Sequence, residues 1–200
     1  MDIILTTTFS NPRLPVVQVP GFFDDFSRVA GDGLGSTSRE GRPWTVLPSA
    51  GVWQINADET ASIRIASGGN NVAVVDALGA DGILRAVVAD AGTSSRRGGV
   101  VFRCRDLENY LAFHANSAGF LALYRRSANS SVALVTTEHT LQTGDVITVA
   151  LAGPSVSCTV NGSQLAAADV PEFASETRHG LFGHSTAYDM KWDEISFAAP

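Results

Sequence analysis

The chain has 200 residues, 44% of them hydrophobic and 17% charged, an ordinary globular composition that excludes a disordered chain and suffices for one sizeable core. Its formal net charge of −6 argues against a general nucleic-acid binder, whose footprint is a basic surface. No run is long and apolar enough to read as a transmembrane span, so no membrane partner is expected.

The first ten residues, MDIILTTTFS, carry an acid where a secretory signal has basic residues; a protein made in the cytoplasm, or leaving it by another route, is expected. Residues 1–20 hold three prolines and show no alternation leading into a hairpin. Proline removes ladder donors, so this stretch reads as an extended N-terminal arm, with the globular domain running from Gly21 to the end of the chain, residues 21–200. GFFDDFSRVAGDGLG then places Asp24 and Asp25 between aromatics, ahead of a glycine-rich turn with Asp32.

Period-two runs follow one another from there: VWQIN, ASIRI, VAVVD, ILRAVVAD, GVVFRCRD, NYLAFHAN, GFLALYRR, SVALVTT, DVITVAL, SVSCTVN, HGLFGH and KWDEISF. Gly, Asn, Asp and Ser clusters separate them, and Asn161-Gly162 suits a type I′ hairpin turn. No window keeps a 3.6-residue period over helix length. The pattern predicts an all-β domain, most simply two antiparallel sheets in a sandwich. Cys104 and Cys158 each sit at an apolar parity. They read as buried free thiols, with a cross-core disulfide as the alternative. The clustered Arg96-Arg97, Arg103, Arg105 and Arg125-Arg126 read as a solvated strand face.

Parity within the middle runs divides two faces. Phe102 and Cys104, Leu111 and Phe113, Leu121 and Leu123, and Ile147, Val149 and Leu151 form the predicted core face. Opposite them stand Arg103, Tyr110, His114 and Tyr124, with small Ala112 and Ala122 between. If these strands are neighbours, the small residues leave a trough with aromatic and basic walls. Such a trough suits a sugar, whose apolar ring face stacks on an aromatic while its hydroxyls take hydrogen bonds. The alternative is a half-buried face covered by a loop or a partner subunit.

FFDDFSR, GDGLG, RPWTVLPSAGVWQIN, GVVFRCRDLENYLAFHAN, VSCTVNGSQL, RHGLFGH and the closing KWDEISF together resemble the concanavalin A-like lectin/glucanase jelly roll. The similarity is greatest to the laminin-G-like domains of bacteriophage minor tail and other virion proteins, and covers about residues 21–198. The resemblance implies two stacked antiparallel sheets, one concave and often the ligand face. It also implies pairing of the first and last strands, bringing Asp24-Asp25 near Asp193-Glu194, and carries the family's calcium site to Asp25 and Asp193. The other reading of the paired aspartates is a turn in which they accept backbone N–H bonds.

Catalytic patterns are missing. Retaining glucanases of this fold carry E-x-D-x-x-E on one strand, and no such motif occurs; Asp189, Asp193 and Glu194 have the wrong spacing. There is no G-x-S-x-G, zinc motif or phosphate-binding loop. The expectation is a non-enzymatic virion protein, a phage minor tail or surface protein, whose lectin-like jelly roll contacts host cell-surface glycan or neighbouring subunits, a purely structural subunit being the alternative and a glycan-active hydrolase the distant one. Its partners would be other virion proteins or itself, with the arm as anchor and a homotrimer as the first guess.

Overall fold

The computed structural model describes residues 21–48, 51–65, 69–92, 98–116, 118–184 and 190–200. The arm expected over residues 1–20 lies outside the described residues, as do Arg96, Arg97 and Asp189. The described chain forms sixteen strands: β1 (Gly21–Asp24), β2 (Gly31–Asp32), β3 (Thr45–Val46), β4 (Val52–Ile55), β5 (Ala61–Ile65), β6 (Asn70–Asp76), β7 (Gly82–Asp90), β8 (Gly98–Asp106), β9 (Asn109–Ala115), β10 (Leu121–Ser127), β11 (Ser130–Thr137), β12 (Val146–Ala152), β13 (Ser155–Val160), β14 (Ser163–Asp169), β15 (Arg178–His184) and β16 (Lys191–Ala198). Every alternating run of the sequence is one of these strands. No helix among the described residues is long and apolar enough to cross a membrane.

The strands make two antiparallel sheets. One runs β14-β13-β12-β7-β16, after which the far side of β16 is shared by β1 and β5, and β4 and β2 follow. The other runs β11-β10-β9-β8-β15-β6-β3. First and last strands do pair, with Gly21 opposite Ala198 and Asp24 opposite Ile195. The Asn161-Gly162 turn joins β13 to β14 with positive φ at both residues, 51° and 79°, as a type I′ turn requires.

Phe102, Leu111, Phe113, Leu121, Leu123, Ile147, Val149 and Cys158 all enter the core between the sheets, together with Trp53, Trp192 and Phe197. Both cysteines are free and buried. A second, smaller apolar cluster lies on the outer face of the second sheet, around Val72, Val74, Val101, Tyr110, Ala112 and Phe182. Most residues of β6, β8, β9 and β15 are therefore buried whichever way they point.

One bulge corrects the predicted parity. Arg103 has φ 47°, a left-handed conformation that a bulky residue adopts only at a cost of order 1 kcal/mol, and the β8–β9 register breaks between Phe102 and Asp106. The displaced residue lets Phe102 face the inter-sheet core while Cys104 joins the outer cluster. Arg103 is fully buried rather than part of the exposed trough. Its guanidinium donates to Asp81 at 2.9 Å, and its backbone N–H donates to His179 Nδ1 at 3.3 Å. The clustered arginines are likewise not one solvated face: Arg105 pairs with Glu176 and Arg125 with Glu172.

His179 locks this corner. Since Arg103 N–H can only donate and Gly79 O can only accept, Nε2 carries the proton and donates to Gly79 O at 3.0 Å. The ring stacks on Phe197 at 4.2 Å and is fully buried. Burial disfavours the imidazolium and pulls the pKa from 6.5 down to about 4. Between those values the unfolded chain binds a proton that the folded chain excludes, so His179 contributes full stability above pH ~6.5 and loses it as the pH falls toward 4. The loss is on the order of 3 kcal/mol. Melting temperatures measured from pH 7 to 4.5 are expected to fall in the wild type and to fall less steeply in His179→Gln, which cannot titrate.

Candidate functional site

The site is built on the outer face of β15, β8, β9 and β10, and three aromatic rings define it. Phe182 of β15 stacks on His114 of β9 at 4.1 Å and 22°, and His114 stacks on Tyr124 of β10 at 4.4 Å and 12°. The register explains how residues on non-adjacent strands meet. Phe182 is opposite Gly99 of β8, and Gly99 is opposite His114. A Cβ at Gly99 would sit 2.2 Å from Phe113 O and 2.4 Å from His114 Cβ. The bare backbone there lets Phe182 and His114 close over β8. On the other side His114 faces Ala122, and Tyr124 faces Ala112. Each large ring thus stands over a small residue of the neighbouring strand, and the rings lean together instead of colliding.

Tyr110 lies beneath them. It is buried, tilts against Phe182 at 6.1 Å, and its hydroxyl accepts from Asn70 Nδ2 at 2.6 Å. Burial raises its pKa, so the phenol stays protonated. The four rings bound a cleft of about 290 Å³, whose remaining lining is Asn70, Ala115, Asn116, Arg126, Ser131 and His184. Asn116 spends its Oδ1 on the backbone N–H groups of Ala118 and Phe120, which orients its amide at the rim. His114 donates from Nδ1 to Ala115 O at 2.8 Å, because a carbonyl can only accept.

Of the four residues read from sequence as ligand-binding, the structure brings together Tyr110, His114 and Tyr124. Arg103 is absent from the cleft because of the β8 bulge. The basic residue that lines it is Arg126, and Phe182 supplies the end of the ring stack; sequence parity missed both. Arg126 was legible in principle, two positions beyond Tyr124 on one strand face. Phe182 was not, because its approach to His114 depends on the strand order.

The paired aspartates do other work. Asp24 is buried and accepts both terminal nitrogens of Arg28 at 2.7 and 2.8 Å, Trp44 Nε1 at 2.6 Å and Phe26 N at 3.0 Å. Asp25 accepts Ser27 N at 3.2 Å in a turn. Asp193 is exposed at a bulge of β16, between Trp192 and Glu194. Among the described residues no group of three or more His, Cys, Asp or Glu is placed to hold a metal ion, and calcium requires six to eight oxygens. Among the described residues, Asp25 and Asp193 do not belong to a group of that size.

No protein-family model matches the chain, and no curated protein sequence matches it. Solved structures do. The carbohydrate binding module CBM66 from Bacillus subtilis superposes with a TM-score of 0.61 at 13% identity, over 78% of this chain and 95% of the module. The apo Crh5 transglycosylase gives 0.57 at 12% identity, over 90% of this chain and 85% of that one. Domain 4 of AbnA, an extracellular arabinanase from Geobacillus stearothermophilus solved with arabinotriose, gives 0.53 at 12% identity, over 82% and 87%. At such identities the likeness defines the fold alone: the domain is a two-sheet antiparallel sandwich of the jelly-roll kind. The same sandwich serves a binding module and a transglycosylase, so chemistry has to be read from the site.

Two measurements check this geometry. Gly99→Ala forces a methyl into occupied space and is expected to destabilise the domain by about 1–3 kcal/mol in denaturant unfolding, while perturbing the near-ultraviolet signal of the stacked rings. Melting in excess chelator is expected to match melting in added calcium.

Proposed function

We propose that the chain is a non-enzymatic carbohydrate-binding domain whose glycan seat is the cleft of Tyr110, His114, Tyr124 and Phe182. The observation that carries this reading is the ring stack ending at half-buried Tyr124, set among amide and hydroxyl groups: an apolar platform beside hydrogen-bonding groups is what a pyranose requires. Among the described residues lining the cleft there is no Asp or Glu. Glycoside hydrolysis by the usual route needs two carboxylates about 5–10 Å apart. A binding role fits these residues and a glycosidase role does not.

The wider setting follows from the resemblance of the sequence to virion jelly rolls. In that reading the domain is part of a phage minor tail or surface protein. It would be carried on the virion beside neighbouring subunits or further copies of itself, and presented to host-surface glycan.

Tyr124→Ala is expected to weaken retardation of the protein in affinity gels containing soluble polysaccharide by about tenfold or more, since loss of one aromatic stacking face removes on the order of 1–2 kcal/mol. Its melting temperature should stay near that of the wild type, because Tyr124 is only partly buried and stands outside the inter-sheet core. A Tyr124→Ala protein that keeps its retardation unchanged would move the glycan seat elsewhere.

A further inference from the structure

The cleft contains a cation held by neutral groups. Arg126 donates from Nε to Leu107 O at 3.0 Å, from one terminal nitrogen to Ser131 Oγ at 3.0 Å, and from the other to Asn129 Oδ1. None of these acceptors carries charge, and among the described residues Arg126 makes no ion pair with a carboxylate. Its neighbour Arg125, on the opposite face of β10, is neutralised by Glu172. Asp106, beside Leu107, turns its carboxylate onto Glu108 N and Asn109 Nδ2 within its own turn. A guanidinium has five N–H donors, and these three bonds leave one on each terminal nitrogen. One spare N–H on each terminal nitrogen is a donor set that a planar carboxylate, with two acceptor oxygens, can use.

The placement fits as well. Arg126 is opposite Tyr110 across the β9–β10 ladder, and two residues beyond Tyr124 on the same strand face, about 7 Å along it. A sugar ring stacked on Tyr124 would extend a ring substituent toward Arg126. The guanidinium is already fixed, so binding an anion there costs little further side-chain ordering. In a protein of net charge −6, an unneutralised arginine in a cleft lined by no described carboxylate makes a local attraction for anions.

Resting on the reading of the cleft as a glycan seat, we propose that its ligand is an acidic glycan, whose sugar ring stacks on Tyr124 and whose carboxylate is received by Arg126. The test is an array of uronic-acid and sialic-acid oligosaccharides beside their carboxyl-reduced counterparts, probed with the full chain at low and raised salt. At least one acidic oligosaccharide is expected to bind about tenfold or more tighter than its reduced twin, with the difference shrinking as salt screens the charge. Arg126→Gln should abolish the preference while still binding the reduced twin, and Arg126→Lys should keep part of it. Equal binding of acidic and reduced twins by the wild type would overturn the acidic ligand and leave the glycan seat standing. Binding to no sugar at all would overturn both. The wild-type comparison decides the matter even if Arg126→Gln fails to fold.

Discussion

Gly99 carries the site. In the middle of a strand, a missing side chain ordinarily weakens pairing and leaves a gap in the face. Here the gap is filled by two rings from either side, Phe182 and His114, which meet over the bare backbone. That contact starts the stack which Tyr124 ends, and Tyr110 and Asn70 form its floor. Stacked rings hold one another's rotamers, so Tyr124 is presented in a fixed attitude. Preorganisation of this kind lowers what a ligand must spend on ordering the site.

The second sheet can offer such a face because its central strands do not rely on it for stability alone. The inter-sheet core holds Phe102, Leu111, Phe113 and Leu123, and the outer cluster adds Val72, Val74, Val101 and Ala112. β8 is buried on both sides, and it is there that Arg103 turns inward. The bulge sends a guanidinium to Asp81 and a backbone N–H to His179, and it redirects Cys104 to the outer face. A buried ion pair is weak evidence of net stability. Its effect here is geometric, because it joins β8 to the start of β7 through Asp81, whose other oxygen accepts from Gly153 in the β12–β13 turn.

Much of this was legible in the amino-acid order. Period-two alternation marked the long strands except β14, and the Asn161-Gly162 turn announced its hairpin. SQLAAAD was silent because alanine has little strand preference and supplies no contrast between faces. β2 and β3 are two residues each, too short to show any period. Parity also separated Tyr110, His114 and Tyr124 from the core side, and the small residues Ala112 and Ala122 pointed to the space between them. The error at Arg103 came from assuming unbroken alternation through GVVFRCRD. A bulge is a one-residue event that reverses every later side chain on its strand, and nothing in that run marks where it falls. Phe182 was out of reach for a different reason, since HGLFGH lies far along the chain and only strand order makes β15 a neighbour of β8.

The two charged clusters illustrate how environment assigns roles to similar residues. Asp24 and Arg28 are four residues apart, and the aspartate is fully enclosed, where its charge is matched by a guanidinium and an indole N–H. Neither partner can leave without stranding the other, so this pair is fixed as a clasp for the Phe22, Phe26 and Trp44 corner. Arg126 has the opposite setting. Among the described residues its partners are neutral, it lines a cleft, and it is only partly buried. Removing its charge would strand nothing inside the fold. The fold holds this charge in one place with three hydrogen bonds and, among the described residues, gives it no carboxylate counter-ion.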